Sequence, residues 1–104
     1  FKEDCNDLRN TKVVDLINYL KEYSLIPIVY DPVVDKNEAK NIYNIDLKEN
    51  LLGSKNKYKI IICLLAHKHF KEMNLNNWEN LLDGDSVIFD LKGIVPRELN
   101  PIRI

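Results

Sequence analysis

Glycine is scarce, with three residues in 104. A dinucleotide cradle uses closely spaced glycines for a tight turn and for close backbone approach to a pyrophosphate. Neither GxGxxG nor GxxxxGK[ST] occurs, so no complete site of that kind is expected in this chain. Cysteine is as sparse, Cys5 and Cys63 only, which is too few for a disulfide scaffold. No charge of one sign dominates: 15 Lys and Arg stand against 16 Asp and Glu, a formal net charge of −1. That balance argues against a nucleic-acid binder relying on a basic face and against a polybasic membrane anchor. The longest apolar run, residues 60–66, is seven residues, where about 20 are needed to span a bilayer. The opening residues do not read as a signal peptide. No Ser-His-Asp or Cys-His arrangement has local support.

What is present is an ordinary soluble composition, 45% hydrophobic and 30% charged, at the size of one modest domain. With Phe1 rather than Met at its start, the chain is expected to be a fragment of a longer protein. Cytoplasmic, reduced thiols are the default expectation. Cys63 lies in an apolar run and reads as an inert core thiol, whereas Cys5 reads as a tolerated surface residue in a polar loop.

Residues 1–10 are polar and read as a loop. Val13, Leu16, Ile17, Leu20 and Tyr23 recur at the spacing of one buried helical face, with Asn10 or Thr11 as the cap. Residues 26–30 are β-branched and read as a strand ended by Asp31-Pro32. A short helix follows over 35–43, then a brief edge strand at 45–47 and a loop over 51–57. Residues 58–65 do not alternate, which predicts a strand covered on both faces. Helical stretches near 68–73 and 75–82 come next, then a turn at Asp83-Gly84-Asp85 and a buried strand over 86–90. Residues 92–104, with Pro96 and Pro101, read as a loop with one helical turn. Trp78, with Leu75, Leu81 and Leu82, reads as packing.

Strands alternating with helices predict an α/β domain, a Rossmann-like three-layer sandwich with a mostly parallel sheet. Ligands bind such sheets outside the carboxyl ends of the strands. That rule selects Asp31-Pro32, Ala66-His67, Asp90-Leu91-Lys92 and the loop before the first helix. Asp4 and Asp7 flank Arg9, either as a solvated ion pair or as carboxylates that fix an Arg fork for a phosphate. Lys2 and Lys92 each stand at a strand's carboxyl end if Phe1 closes a strand lying before it. Two ammonium groups there suit a diphosphate or carboxylate. His67-x-His69 has no third metal ligand at a recognisable spacing, and both read as loop histidines.

Four segments resemble one family. The opening, from Phe1-Lys2-Glu3 through Asp7-Leu8-Arg9-Asn10-Thr11-Lys12-Val13 to Asp15, is similar to the FKE…DxRN-(T/S)-K-V-x-D segment of nucleotide-sugar 6-dehydrogenases, which opens their C-terminal domain. Val29-Tyr30-Asp31-Pro32 with Val34-Asp35 resembles VYDPxVD, and Ala66-His67-Lys68-His69-Phe70-Lys71 resembles AHxxFK. Phe89-Asp90-Leu91-Lys92-Gly93 with Ile94 and Pro96 resembles FDxKG-(V/I)-x-P. The four fall in the family's order across nearly the whole chain. The last two are closer to the branch acting on UDP-N-acetylhexosamines (glucosamine, galactosamine or mannosamine) than to the UDP-glucose branch. The UDP-glucose pattern has a second basic residue where Gly93 stands.

The resemblance implies an enzyme with an N-terminal dinucleotide-binding domain and a Rossmann-like C-terminal domain. It implies oxidation of a UDP-sugar C6 hydroxyl to a carboxylate in two NAD-dependent steps, with a catalytic Cys upstream that forms a thiohemiacetal and then a thioester. Phe1, Lys2 and Lys92 are then the expected substrate contacts, and Arg9 is expected to reach NAD. No catalytic residue and no metal site is expected in this segment, which is inert alone. Further expectations are a homo-oligomer, a cytoplasmic location, and a role in bacterial capsule or O-antigen polysaccharide biosynthesis. The first sheet strand is expected to lie before Phe1. A stand-alone, non-catalytic Rossmann-like nucleotide-binding or regulatory module is the competing expectation.

Overall fold

A computed structural model describes residues 3–4, 12–51 and 57–103. They belong to two compact units, Phe1–Leu51 and Leu52–Ile104.

In the first unit, α1 spans Lys12–Glu22 and buries Ile17, with Val13, Leu16 and Leu20 half-buried. Its two adjacent valines favour strand over helix only weakly, so burial of the apolar stripe decides. Tyr23 departs from the expected stripe and is 65% exposed. The cause is the helix end. Leu25 N–H donates to the Leu20 carbonyl and Ser24 N–H to the Lys21 carbonyl, with Ser24 at φ +62°. This pair of bonds reverses the chain through a left-handed residue and swings Tyr23 off the buried face. Its ring instead lies 5.1 Å from that of Tyr19.

Helix α2, Lys36–Tyr43, starts at Asp35, whose carboxylate accepts from Glu38 N–H at 3.0 Å. It stops at Asn44 in the left-handed region. The strands expected at 26–30 and 45–47 reduce to one parallel bridge, Val29 to Leu47, with Lys48 N–H donating to the Val29 carbonyl. A strand exists only where its amides and carbonyls meet a neighbour's. The rest of 26–30 has no described ladder, and Ile26 is 90% exposed.

The second unit holds a sheet of three parallel strands in the order β1-β2-β3: Tyr58–Cys63, Leu82–Asp90 and Ile102–Arg103. Between β1 and β2 lie two short helices, α3 at Lys68–Lys71 and α4 at Leu75–Glu79. Both are shorter than their apolar patterns suggest. Helix α4 carries a reciprocal cap in which Asn74 and Asn77 side chains each accept from the other's backbone N–H.

Asp83-Gly84-Asp85, expected as a turn before the strand, lies inside β2 as a bulge. Tyr58 pairs with Leu82 while Ile60 pairs with Val87, so β2 carries extra residues there. Gly84 at φ +101° and the Asp83 carboxylate, which accepts from Asp85 N–H, shape the bulge. Strand β3 interrupts what reads in sequence as loop, and a 3-10 turn at Arg97–Leu99 leads into it.

The register puts Ile61, Cys63, Ile88, Asp90 and Arg103 on one face of the sheet and Ile60, Ile62, Val87, Phe89 and Ile102 on the other. Cys63, Ile88 and Asp90 are buried, as are Met73, Trp78, Leu81 and Val95. Ile60 is 57% exposed and Val87 40%. The continuous apolar run of β1 is therefore not covered on both faces among the described residues.

Candidate functional site

The carboxyl end of β2 is built around Asp90, which is fully buried. Its Oδ1 accepts from Gly93 N–H at 2.9 Å and Ile94 N–H at 3.2 Å, and its Oδ2 accepts from Val95 N–H at 2.9 Å. Arg103, arriving on β3, sets its Nε 3.3 Å from the same Oδ2 and donates from Nη2 to the Val95 carbonyl. A buried carboxylate is tolerable only when its oxygens are satisfied and its charge is met, and both conditions hold here. Leu91 N–H continues the ladder to the Cys63 carbonyl.

The consequence is a fixed turn over 91–95 with the exposed Lys92 on it. Gly93 takes φ +70° in that turn, and a Cβ there would meet nothing within 4 Å. Backbone conformation rather than lack of room thus favours glycine over the basic residue of the UDP-glucose pattern.

Asp31 repeats the device at smaller scale. Its Oδ1 accepts from Val33 N–H at 2.9 Å and Val34 N–H at 3.1 Å, just after the Val29 bridge. Both aspartates close a strand-to-loop junction by caging backbone amides. Sequence reading placed these segments at strand ends but gave neither Asp a task, and it missed Arg103. The available signal was an Asp at or just after the end of a strand-like segment, followed within five residues by a turn.

His67 lies in the loop after β1, as expected, and His69 does not. His67 is fully buried at the N-terminal boundary of α3, and its ring lies 5.5 Å from that of Phe70. His69 lies within α3 and is exposed, on the edge of the same Phe70 ring at 5.8 Å. The histidines part because one ends the coil after β1 while the other has entered a helix. Among the described residues no group of three His, Cys, Asp or Glu is placed to hold a metal ion.

Burial, and secondly the charge of Asp90, push the Cys63 thiol up to about 12. It stays protonated at neutral pH and is no nucleophile, in keeping with its reading as an inert core thiol. Phe1, Lys2, Arg9, Asp7 and Cys5 lie outside the described residues, so of the expected ligand contacts Lys92 alone has a described place.

A parallel sheet with helices, and with loops at the carboxyl ends of its strands, is the arrangement of α/β Rossmann-like domains. The family described as "UDP-glucose/GDP-mannose dehydrogenase family, UDP binding domain" matches residues 1–97, and the chain belongs to it. It is 42% identical over 97 residues to "Protein CapL" of Staphylococcus aureus, covering 91% of this chain and 22% of that protein. It is 38% identical to a UDP-N-acetyl-D-glucosamine 6-dehydrogenase of Pseudomonas aeruginosa and 33% identical to one of Salmonella typhi. Each of those two matches covers all of this chain and 24% of the relative. The chain thus spans about a quarter of the length of the curated relatives it matches. No solved structure matches it at a significant level.

Proposed function

We propose that this chain is the C-terminal, UDP-sugar-binding domain of an NAD-dependent nucleotide-sugar 6-dehydrogenase. Its substrate is a UDP-N-acetylhexosamine, oxidised at C6 to the uronic acid for bacterial capsule or O-antigen polysaccharide. The observation that carries the reading is end-to-end similarity to two enzymes named UDP-N-acetyl-D-glucosamine 6-dehydrogenase. The unit at work is the whole enzyme, cytoplasmic and oligomeric, of which this domain supplies one wall of the substrate cleft.

Within that wall Lys92 and Lys2 offer compact charges to the diphosphate, and Phe1 offers an apolar face to the nucleotide sugar. Arg9 offers a planar fork to the pyrophosphate of NAD. The rest of the NAD site belongs elsewhere in the enzyme. The connection from β1 to α3 holds no glycine, and α3 has four residues, so it is no dinucleotide cradle. When bound, NAD accepts the hydride in each oxidation. Neither Cys63 nor Cys5 is assigned as nucleophile, and that group too belongs to the remainder of the enzyme.

The test is full-length protein incubated with NAD and a panel of UDP-sugars while NADH absorbance is followed. The expected result is two NADH per molecule of a UDP-N-acetylhexosamine. Absence of NADH with every UDP-sugar, from folded protein, overturns the reading and leaves a non-catalytic nucleotide-binding module.

A further inference from the structure

We infer that Asp90 and Arg103 are positioning residues for the nucleotide sugar, acting through Lys92. The inference deepens the proposed function and rests on it. A lysine ammonium is a point charge on a flexible stem, so what the protein contributes to its aim is the placement of its backbone. Here that backbone is unusually determined. Three successive amides, of Gly93, Ile94 and Val95, all converge on one buried carboxylate. Arg103 then grips both the carboxylate and the carbonyl at the far end of the turn. The grip comes from β3, a strand of two residues whose register sets Arg103 beside Asp90.

The arrangement makes the two groups interdependent. Without Arg103, Asp90 is a buried carboxylate that has lost the guanidinium described beside it. Without Asp90, three amides lose their acceptor and Arg103 loses its anchor. The turn between them lies outside the carboxyl end of β2, where this class of sheet takes its ligand.

The experiment uses the full-length enzyme, NAD and whichever UDP-N-acetylhexosamine turns over fastest. Asp90→Asn keeps the shape but removes the charge, and Arg103→Lys keeps the charge but removes the fork. Each is expected to raise the sugar KM about tenfold with kcat within twofold, the pattern of lost binding rather than lost chemistry. In each variant the Gly93, Ile94 and Val95 amides should exchange with solvent faster. Combining either change with Lys92→Ala should give the KM of Lys92→Ala alone, because the effect runs through that residue.

A merely structural role predicts something else: a lower melting temperature with KM unchanged, or KM effects that multiply those of Lys92→Ala. Either result overturns the inference while leaving the dehydrogenase reading standing. An unsubstituted enzyme that makes no NADH overturns both. Should Asp90→Asn fail to fold, Arg103→Lys decides by the same readouts.

Discussion

At the scale of single residues, the caged carboxylate of Asp90 also governs its neighbour. Cys63 sits one strand away in register with Asp90, and burial plus that negative charge hold its thiol up to about 12. Two consequences follow, the first read at the peptide that carries Cys63, so that other cysteines of the whole enzyme do not contribute. A thiol reagent at pH 8 should leave native protein unlabelled for hours, and denaturant should make labelling immediate. Stability should also carry a signature of the thiol. Below pH about 9 both folded and unfolded states keep the proton. Between about 9 and 12 the unfolded state has lost it while the native state retains it, so stability falls as pH rises, by at most about 1.4 kcal/mol per unit. Above the folded value the slope ends. Cys63→Ala should remove that slope, and rapid native labelling at pH 8 would contradict the assignment.

At the scale of elements, short helices depend on their ends. Helix α4 has five residues, too few to be stable by propensity, and its reciprocal Asn74–Asn77 cap satisfies amides that the helix leaves free. Asn74→Ala should destabilise the second unit by about 1 kcal/mol, read as faster amide exchange over residues 75–81. No change there would mean that burial of Trp78 alone holds the helix. Such ends also explain what the sequence made legible. The apolar spacing of α1, the Asp35 cap of α2 and the Ile-rich body of β1 are local signals, and all three elements form. Tyr23 misled because its spacing is helical while the reversal at Ser24 is set by backbone bonds. Strand β3 was invisible because its two residues, Ile102 and Arg103, are too few to carry a periodicity. It exists through its pairing with β2, a long-range fact. For the same reason the candidate site was half legible: motif likeness marked Lys92, but the Asp90–Arg103 pair joins residues whose relation depends on that register.

At the scale of the whole chain, charge balance sets the kind of recognition that this domain can offer. With a net charge of −1 there is no general field to draw in a dianion, and several exposed lysines already face carboxylates: Lys36 with Glu49, Lys40 with Asp46, Lys59 with Asp83. On the proposed function, diphosphate recognition then comes from particular cations held in place, and it should depend on the phosphates rather than the nucleoside. In full-length protein, UDP at a hundred times its Kd should stabilise the fold by about 2.7 kcal/mol. UMP at the same concentration should stabilise less and uridine least. Raising the salt concentration should weaken UDP more than uridine, because screening acts on the charge pairs alone. Lys92→Ala should narrow the gap between UDP and uridine without abolishing the uridine effect. Equal stabilisation by uridine and UDP would remove the diphosphate from the account and leave the nucleoside as the recognised group. A gap untouched by Lys92→Ala would instead shift the diphosphate contact to Lys2.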